Sequence, residues 1–167
     1  MKLDKSSIII NLVGKHDIEA MVEYRIDYLS ELYGSNETQD KEQLNRELTE
    51  YFTKSIAAGS FLAVVAKIED RIIAFGGMIL KQVPGDFIQS SYKEGEILNM
   101  YTIPQARNQG VGSLVLSELL QIAKKEGISK VALHTSQDGE KLYRSFGFTD
   151  PVYPYLEHTI ETNYDFE

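Results

Sequence analysis

Ile97-Leu98-Asn99-Met100-Tyr101-Thr102-Ile103, followed after Pro104, Gln105 and Ala106 by Arg107-Asn108-Gln109-Gly110-Val111-Gly112, is the stretch from which this 167-residue chain is most directly read. The first seven residues form an apolar run of strand character, and a helical pattern from Val111 to Lys125 opens at the end of the second segment. A strand that ends in a basic, glycine-bearing loop and passes straight into a helix forms an anion cradle. Backbone N–H groups converge on one spot, and the positive end of the helix dipole reinforces them. Glycine at 110 and 112 leaves the backbone open to a phosphate that a Cβ would keep away. The expected ligand is a phosphorylated cofactor.

The neighbouring residues discriminate among such cofactors. A Walker-type loop requires Lys and Ser or Thr after its last glycine. Here Ser113 and Leu114 follow Gly112, so the phosphate-reaching lysine is missing. A dinucleotide fingerprint requires a third small residue and an acidic residue about 20 positions further on. Val115 stands at the first of these places and Val131-Ala132-Leu133 at the second.

The pattern R-x-x-G-x-G after a strand, with Pro104 three residues before Arg107, resembles instead the acyl-coenzyme A loop of the GNAT superfamily of N-acetyltransferases. Downstream, Leu142-Tyr143-Arg144-Ser145-Phe146-Gly147-Phe148 is similar to that family's L-Y-x-x-x-G-F segment. Together the two motifs span roughly residues 93 to 150. The resemblance implies a mixed α/β (α+β) GNAT fold, with a central, largely antiparallel sheet flanked by helices in the order β-α-α-β-β-β-α-β-α-β. It implies acetyl-coenzyme A as co-substrate and no metal.

Composition is that of an ordinary soluble globule, 43% hydrophobic and 25% charged, of a length suited to one domain over residues 1–167. No apolar run approaches the roughly 20 residues of a membrane span, and the N-terminal Ile8-Ile9-Ile10 run is too short for a signal-peptide core. The absence of cysteine excludes a disulfide framework and thiolate chemistry. A cytoplasmic protein is the expected class. The net charge of −8 opposes nucleic-acid binding and would steer a cationic amine inwards. The three histidines, His16, His134 and His158, are too scattered to suggest a metal site, and His134 reads as a supporting residue rather than a base.

Ser6 to Val13 reads as a strand, and a helix runs from Asp17 to Gly34 with Ile18, Met21, Val22, Ile26, Leu29 and Leu32 at helical spacing. After a polar turn over 35–40, Leu44, Leu48, Tyr51, Phe52 and Ile56 mark a second helix ended by Gly59. Phe61 to Ile68 and Ile72 to Leu80 read as a hairpin, with Gly76 and Gly77 signalling a bulge or a close backbone approach. Lys81 to Lys93 reads as a surface loop, Glu94 to Ile103 as the fourth strand and Gly110 to Glu126 as the third helix. Lys130 to Thr135 and Asp138 to Phe146 read as the fifth strand and last helix, and the Pro151–Pro154 tail is expected to supply one or two more strands.

Acyl transfer from a thioester to an amine needs an anchored donor, a polarised carbonyl, a neutral amine and a proton for the departing thiolate. The resemblance assigns the anchor to Arg107, which pairs with phosphate or shapes the loop, and to Asn108, Gln109, Gly110, Val111 and Gly112, with the Ser113 hydroxyl at the first helical turn. It places the N–H groups near Tyr101 and Thr102, freed by a splay from the fifth strand, along the pantetheine arm and the acetyl carbonyl. Tyr143 becomes the general acid, because a phenol of pKa about 10 is protonated at neutral pH. Glu96 is a candidate base and a solvated edge charge is its alternative; Asn99 can orient a water or the amine but cannot be a base. Simple alternation puts Glu96 with Leu98 and Met100, and Asn99 with Ile97 and Tyr101, unless a strand distortion changes the parity. Ser136 stands where family members often carry a cofactor-contacting Asn, and can instead cap the last helix. Arg25, Tyr28 and Tyr33 are candidates for one wall of the acceptor pocket.

The leading expectation is an N-acetyltransferase acting on a small-molecule amine by direct attack, with no nucleic acid or membrane partner. A protein or peptide N-terminal acetyltransferase and a non-catalytic coenzyme A-binding regulatory module are the alternatives. A homodimer is common in this fold and is left open by the sequence.

Overall fold

The computed structural model describes residues 3–34 and 38–160. Two compact units meet in sequence at the 134/135 boundary. The first contains β1 (Ile8–Leu12), α1 (Ile18–Tyr33), α2 (Thr38–Ala57), β2 (Phe61–Ile68), β3 (Arg71–Pro84), β4 (Ser91–Thr102), α3 (Val111–Lys125) and β5 (Ile128–Leu133); the second contains α4 (Gln137–Ser145). The five strands form one sheet in chain order, antiparallel from β1 through β4 and parallel between β4 and β5. A parallel neighbour demands a crossover, which α3 provides. The mixed, largely antiparallel sheet flanked by helices is therefore as expected from the sequence.

The core follows from the apolar periodicities. α3 buries Val111, Val115, Leu116, Leu119 and Ala123, one stripe of its 15 residues. α1 buries Ile18, Met21 and Val22; Gly34 N still donates to Ser30 O at 3.0 Å, and a positive φ of 86° at Gly34 then turns the chain out of the helix. The glycine pair of β3 marks close packing on both faces of the sheet. A Cβ on Gly76 would meet Val115 and Leu119 of α3, whereas one on Gly77 would meet the ring of Phe61. Phe61 in turn packs with Tyr51 and Phe52 of α2. Since successive strand residues point to opposite faces, α2 and α3 cover opposite sides of the sheet.

Two expectations are corrected. Lys81 to Lys93 is not a surface loop over its length: β3 continues to Pro84 and β4 begins at Ser91, paired residue by residue. Only the tip turns. Asp86 Oδ1 accepts from Ile88 N at 2.7 Å and from Tyr92 Oη at 2.9 Å, so the polar and turn-forming residues close a hairpin rather than open a loop. The tail supplies no strand among described residues 148–160, where Pro151 and Pro154 remove backbone donors; residues 161–167 lie outside the described residues, as do 35–37 of the expected polar turn.

Candidate active site

The loop between β4 and α3 is set by two left-handed residues, Asn108 (φ 59°) and Gly110 (φ 81°). Gly110 is the N-cap of α3, and no side chain caps that helix end. The first intrahelical bond of the turn is Leu114 N to Gly110 O at 3.3 Å, so the N–H groups of Val111, Gly112 and Ser113 open the helix without an internal acceptor. Gln109 braces the loop: its Oε1 accepts from Leu3 N at 2.7 Å and its Nε2 donates to Gln105 O at 3.0 Å. Lys5 adds a cation from the N-terminal segment, because a Cβ built on Gly110 would lie 2.9 Å from Lys5 Nζ. These donors fit a phosphate-bearing ligand: free N–H groups, an ammonium and a residue whose Cβ would occupy the approach.

Arg107 does not stand free over the cradle. Its Nε donates to Thr102 O at 2.9 Å and its Nη2 to both oxygens of Glu31 on α1, at 2.8 and 2.9 Å. The guanidinium also lies 5.4 Å from the centroid of the Tyr101 ring, and the hydrogen bond to Glu31 raises its pKa. Of the two roles expected for it, this geometry is loop shaping. Tyr101 is buried, stacks on Tyr24 at 5.6 Å and donates to Glu31 Oε1 at 3.3 Å. Burial first, then the charge of Glu31, raises the pKa of its phenol.

The fourth strand carries the distortion that decides which side chains meet. Gly77 pairs with Asn99 but Met78 pairs with Ile97, leaving Leu98 as an extra residue. This bulge inverts the parity of the strand across Leu98. Asn99 shares a face with Gly77, and Glu96 shares one with Ile79; residues 77 and 79 lie on one face of β3. Glu96 and Asn99 are therefore on the same face, and Ile97 on the other, which corrects the simple alternation. Pairing with β5 also stops here, at Ile97–Leu133, so Leu98 to Thr102 have no β5 partner and present an open strand edge. That edge has the donors expected to face an extended cofactor arm.

Asn99 is 2% exposed, accepts from Arg25 Nη1 through Oδ1, and has no hydrogen-bond partner for Nδ2 among the described residues. Glu96 is half-exposed, with Lys81 Nζ 3.6 Å from its Oε2, beyond hydrogen-bonding distance. Arg25 has its guanidinium 5.6 Å from the ring centroid of Tyr28.

The sequence profile of the Acetyltransferase (GNAT) family matches residues 20–148. The chain belongs to the GNAT acetyltransferase family. No significant match is found among curated protein sequences. Among solved structures, a predicted acetyltransferase of Clostridium acetobutylicum with acetyl-CoA superposes with a TM-score of 0.78 at 28% identity, over 91% of this chain and 96% of that one. Glucosamine-6-phosphate N-acetyltransferase of Arabidopsis thaliana gives 0.66 at 18% identity, over 90% and 97%. An aminoglycoside acetyltransferase from an uncultured soil metagenomic sample, in complex with sisomicin, gives 0.67 at 14% identity, over 93% and 98%. The last two likenesses are of fold.

In this GNAT chain the second family motif has a plain local cause. Gly147 (φ 88°) ends α4, with Phe148 N donating to Tyr143 O at 3.2 Å and Gly147 N to Arg144 O at 3.0 Å. These are the two bonds of a Schellman motif, and its usual apolar contact is the edge-to-face pair of Tyr143 and Phe148 at 5.8 Å. The spacing Y-x-x-x-G-F thus fixes the position of the Tyr143 ring on its own helix. Ser136 takes the capping role, its Oγ accepting from Gly139 N at 3.3 Å. Lys5 and Glu31 were missed by sequence reasoning. Neither lies near the loop in sequence, and only the fold brings them to it.

Proposed function

We propose that this chain, a single GNAT domain over residues 1–167, transfers an acetyl group from acetyl-coenzyme A to a primary amine of a small molecule by direct attack in a ternary complex. The observation that carries the reading is the conjunction at β4: an uncapped, glycine-started α3 with Lys5 beside it, and a strand edge that loses its partner at the Leu98 bulge. When bound, acetyl-coenzyme A supplies an activated thioester. The N–H groups of Gly110 to Ser113 and the Lys5 ammonium hold the phosphates; the backbone of Leu98 to Thr102 holds the arm and polarises the carbonyl. Arg107 keeps the loop in place through Glu31. Glu96, directly or through a water, takes the amine proton, and Tyr143 protonates the departing thiolate as the new N–C bond replaces the C–S bond. The chain has no cysteine, so transfer needs no cysteinyl acyl-enzyme.

Calorimetry with acetyl-coenzyme A, together with free-thiol release over an amine panel, tests this reading. Wild type should bind and turn over. Gly110→Asp should lose binding by repulsion, and Tyr143→Phe should bind normally with kcat reduced about 10²-fold or more. Failure of wild type to bind acetyl-coenzyme A would sink the reading. Binding without turnover of any amine would favour a coenzyme A-binding regulatory module.

A further inference from the structure

Arg25 stands where α1 should carry a core residue. The stripe that buries Ile18, Met21 and Val22 predicts the next inward position at 25, three and four residues on from Val22 and Met21. A charge at such a place has to be matched, because a half-buried guanidinium loses much of its hydration. The match inside the protein is incomplete. Its hydrogen-bond acceptor among the described residues is the neutral Asn99 Oδ1, and its electrostatic neighbours are the phenols of Tyr28 and Tyr33. No described carboxylate pairs with it, and Glu31, further along α1, is taken up by Arg107.

Next to this guanidinium lies a second unanswered donor. Asn99 is 2% exposed, and with Oδ1 engaged by Arg25 its Nδ2 has no acceptor among the described residues. Buried amide groups normally find partners. Arg25 and Asn99 thus present remaining N–H donors, one set charged, on the face of β4 that also carries Glu96, beside the bulge where β5 leaves the strand. An oxygen-rich anion answers both at once, since a planar fork of donors suits a carboxylate or a phosphate.

We infer that Arg25 and Asn99 form an oxyanion-recognition site for the acceptor, so that the substrate is an amine carrying a carboxylate or phosphate, rather than a polyamine or other purely cationic amine. This rests on the acetyltransferase reading above for the word acceptor, though not for the existence of an anion site. The overall charge of −8 does not oppose it. The long-range field draws in the ammonium, while the local guanidinium reads the acid at the other end of the same molecule. Such a site would also orient the substrate, because a fixed anion leaves the amine a limited arc in which to reach the acetyl carbon.

The test compares matched pairs that differ in the anion alone: L-amino acids against their C-terminal amides, and phosphoethanolamine against ethanolamine, with spermidine as the cationic reference. Binding is followed by saturation-transfer NMR without acetyl-coenzyme A, and kcat/KM by thiol release. Wild type should prefer an anionic member by at least about tenfold, equivalent to about 1.4 kcal/mol. The pair that shows the preference identifies carboxylate or phosphate. Arg25→Gln should bring the ratio close to one while acetyl-coenzyme A affinity stays within about twofold, and Arg25→Lys, which keeps the charge without the fork, should retain part of the preference. Equal binding of both members of every pair by wild type, a preference for spermidine, or a ratio unchanged in a folded Arg25→Gln would each overturn the inference. Anion-selective binding without acetyl-coenzyme A binding would leave the site standing and remove the acetyltransferase reading instead.

Discussion

Lys5 shows how far apart in the chain two neighbours at the start of α3 can lie. It comes from a short 3-10 turn ahead of β1, capped by Asp4 through Ser6 N, and its ammonium lies over Gly110, more than a hundred residues away in the chain. If it holds a cofactor phosphate, Lys5→Ala should weaken acetyl-coenzyme A binding about fivefold, roughly 1 kcal/mol for an exposed pair. The loss should shrink in high salt, because solvent-exposed charges are screened. Calorimetry at low and high ionic strength decides, and an unchanged affinity at low salt would remove Lys5 from the site. Arg107 makes the converse point. Its place in the R-x-x-G-x-G motif suggested a phosphate ligand or a loop-shaping residue with equal ease, and the choice depended on where Glu31 would be. Side-chain identity was legible in the sequence; the partner seventy-odd positions away was not.

Among the elements, those with a clean period were readable and those set by pairing were not. The helical spacing of α1 and α3 and the apolar run of β2 put their bounds within a residue or two of those observed. The far half of the β3–β4 hairpin was hidden, since Lys81, Gln82 and Lys93 are polar residues that become strand only by pairing across the hairpin. The direction of Asn99 was equally hidden, because a bulge is a property of two strands. The glycine pair at 76–77 did signal the close approach correctly. A Cβ on Gly76 would lie 2.6 Å from Met100 Sδ, 2.7 Å from Val115 Cγ1 and 2.7 Å from Leu119 Cδ1. All three are side-chain atoms in a packed layer, so Gly76→Ala should destabilise by about 1–3 kcal/mol through overpacking. Urea denaturation measures it, and a neutral result would mean that the layer under α3 has room to shift.

For the whole molecule, one ion pair ties the start of α1 to the sheet. Asp17 is buried, with Lys67 Nζ at 2.5 Å and Gly14 N at 2.9 Å from its two oxygens. Burial pushes its carboxyl up, but the hydrogen bonds from Lys67 and Gly14 outweigh burial and hold it below its ordinary value of 3.8. A depressed folded-state pKa gives stability that is present above the unfolded value and is lost as pH falls through the folded one. Asp17→Asn should therefore cost about 1–3 kcal/mol near neutrality, and the difference from wild type should close as pH falls below 3.8. A gap that stayed constant across the acid range in urea titrations would show that the charge is not its source. Fold class and the glycine-bearing turn ahead of α3 were both open to reading from the chain; the face taken by Asn99 depended on the unpaired residue of β4. Because Leu98 is 38% exposed and belongs to neither register, its side chain carries little of the strand's information, yet its place outside the ladder sets the frame in which every residue from Asn99 to Thr102 is read. It behaves as a spacer in a code: replacing or deleting the letter should be tolerated, since without it Ile97 and Asn99 still fall on opposite faces, whereas drawing it into the ladder would shift the message, turning Asn99 away from Arg25 and Tyr101 away from Tyr24 in a single step.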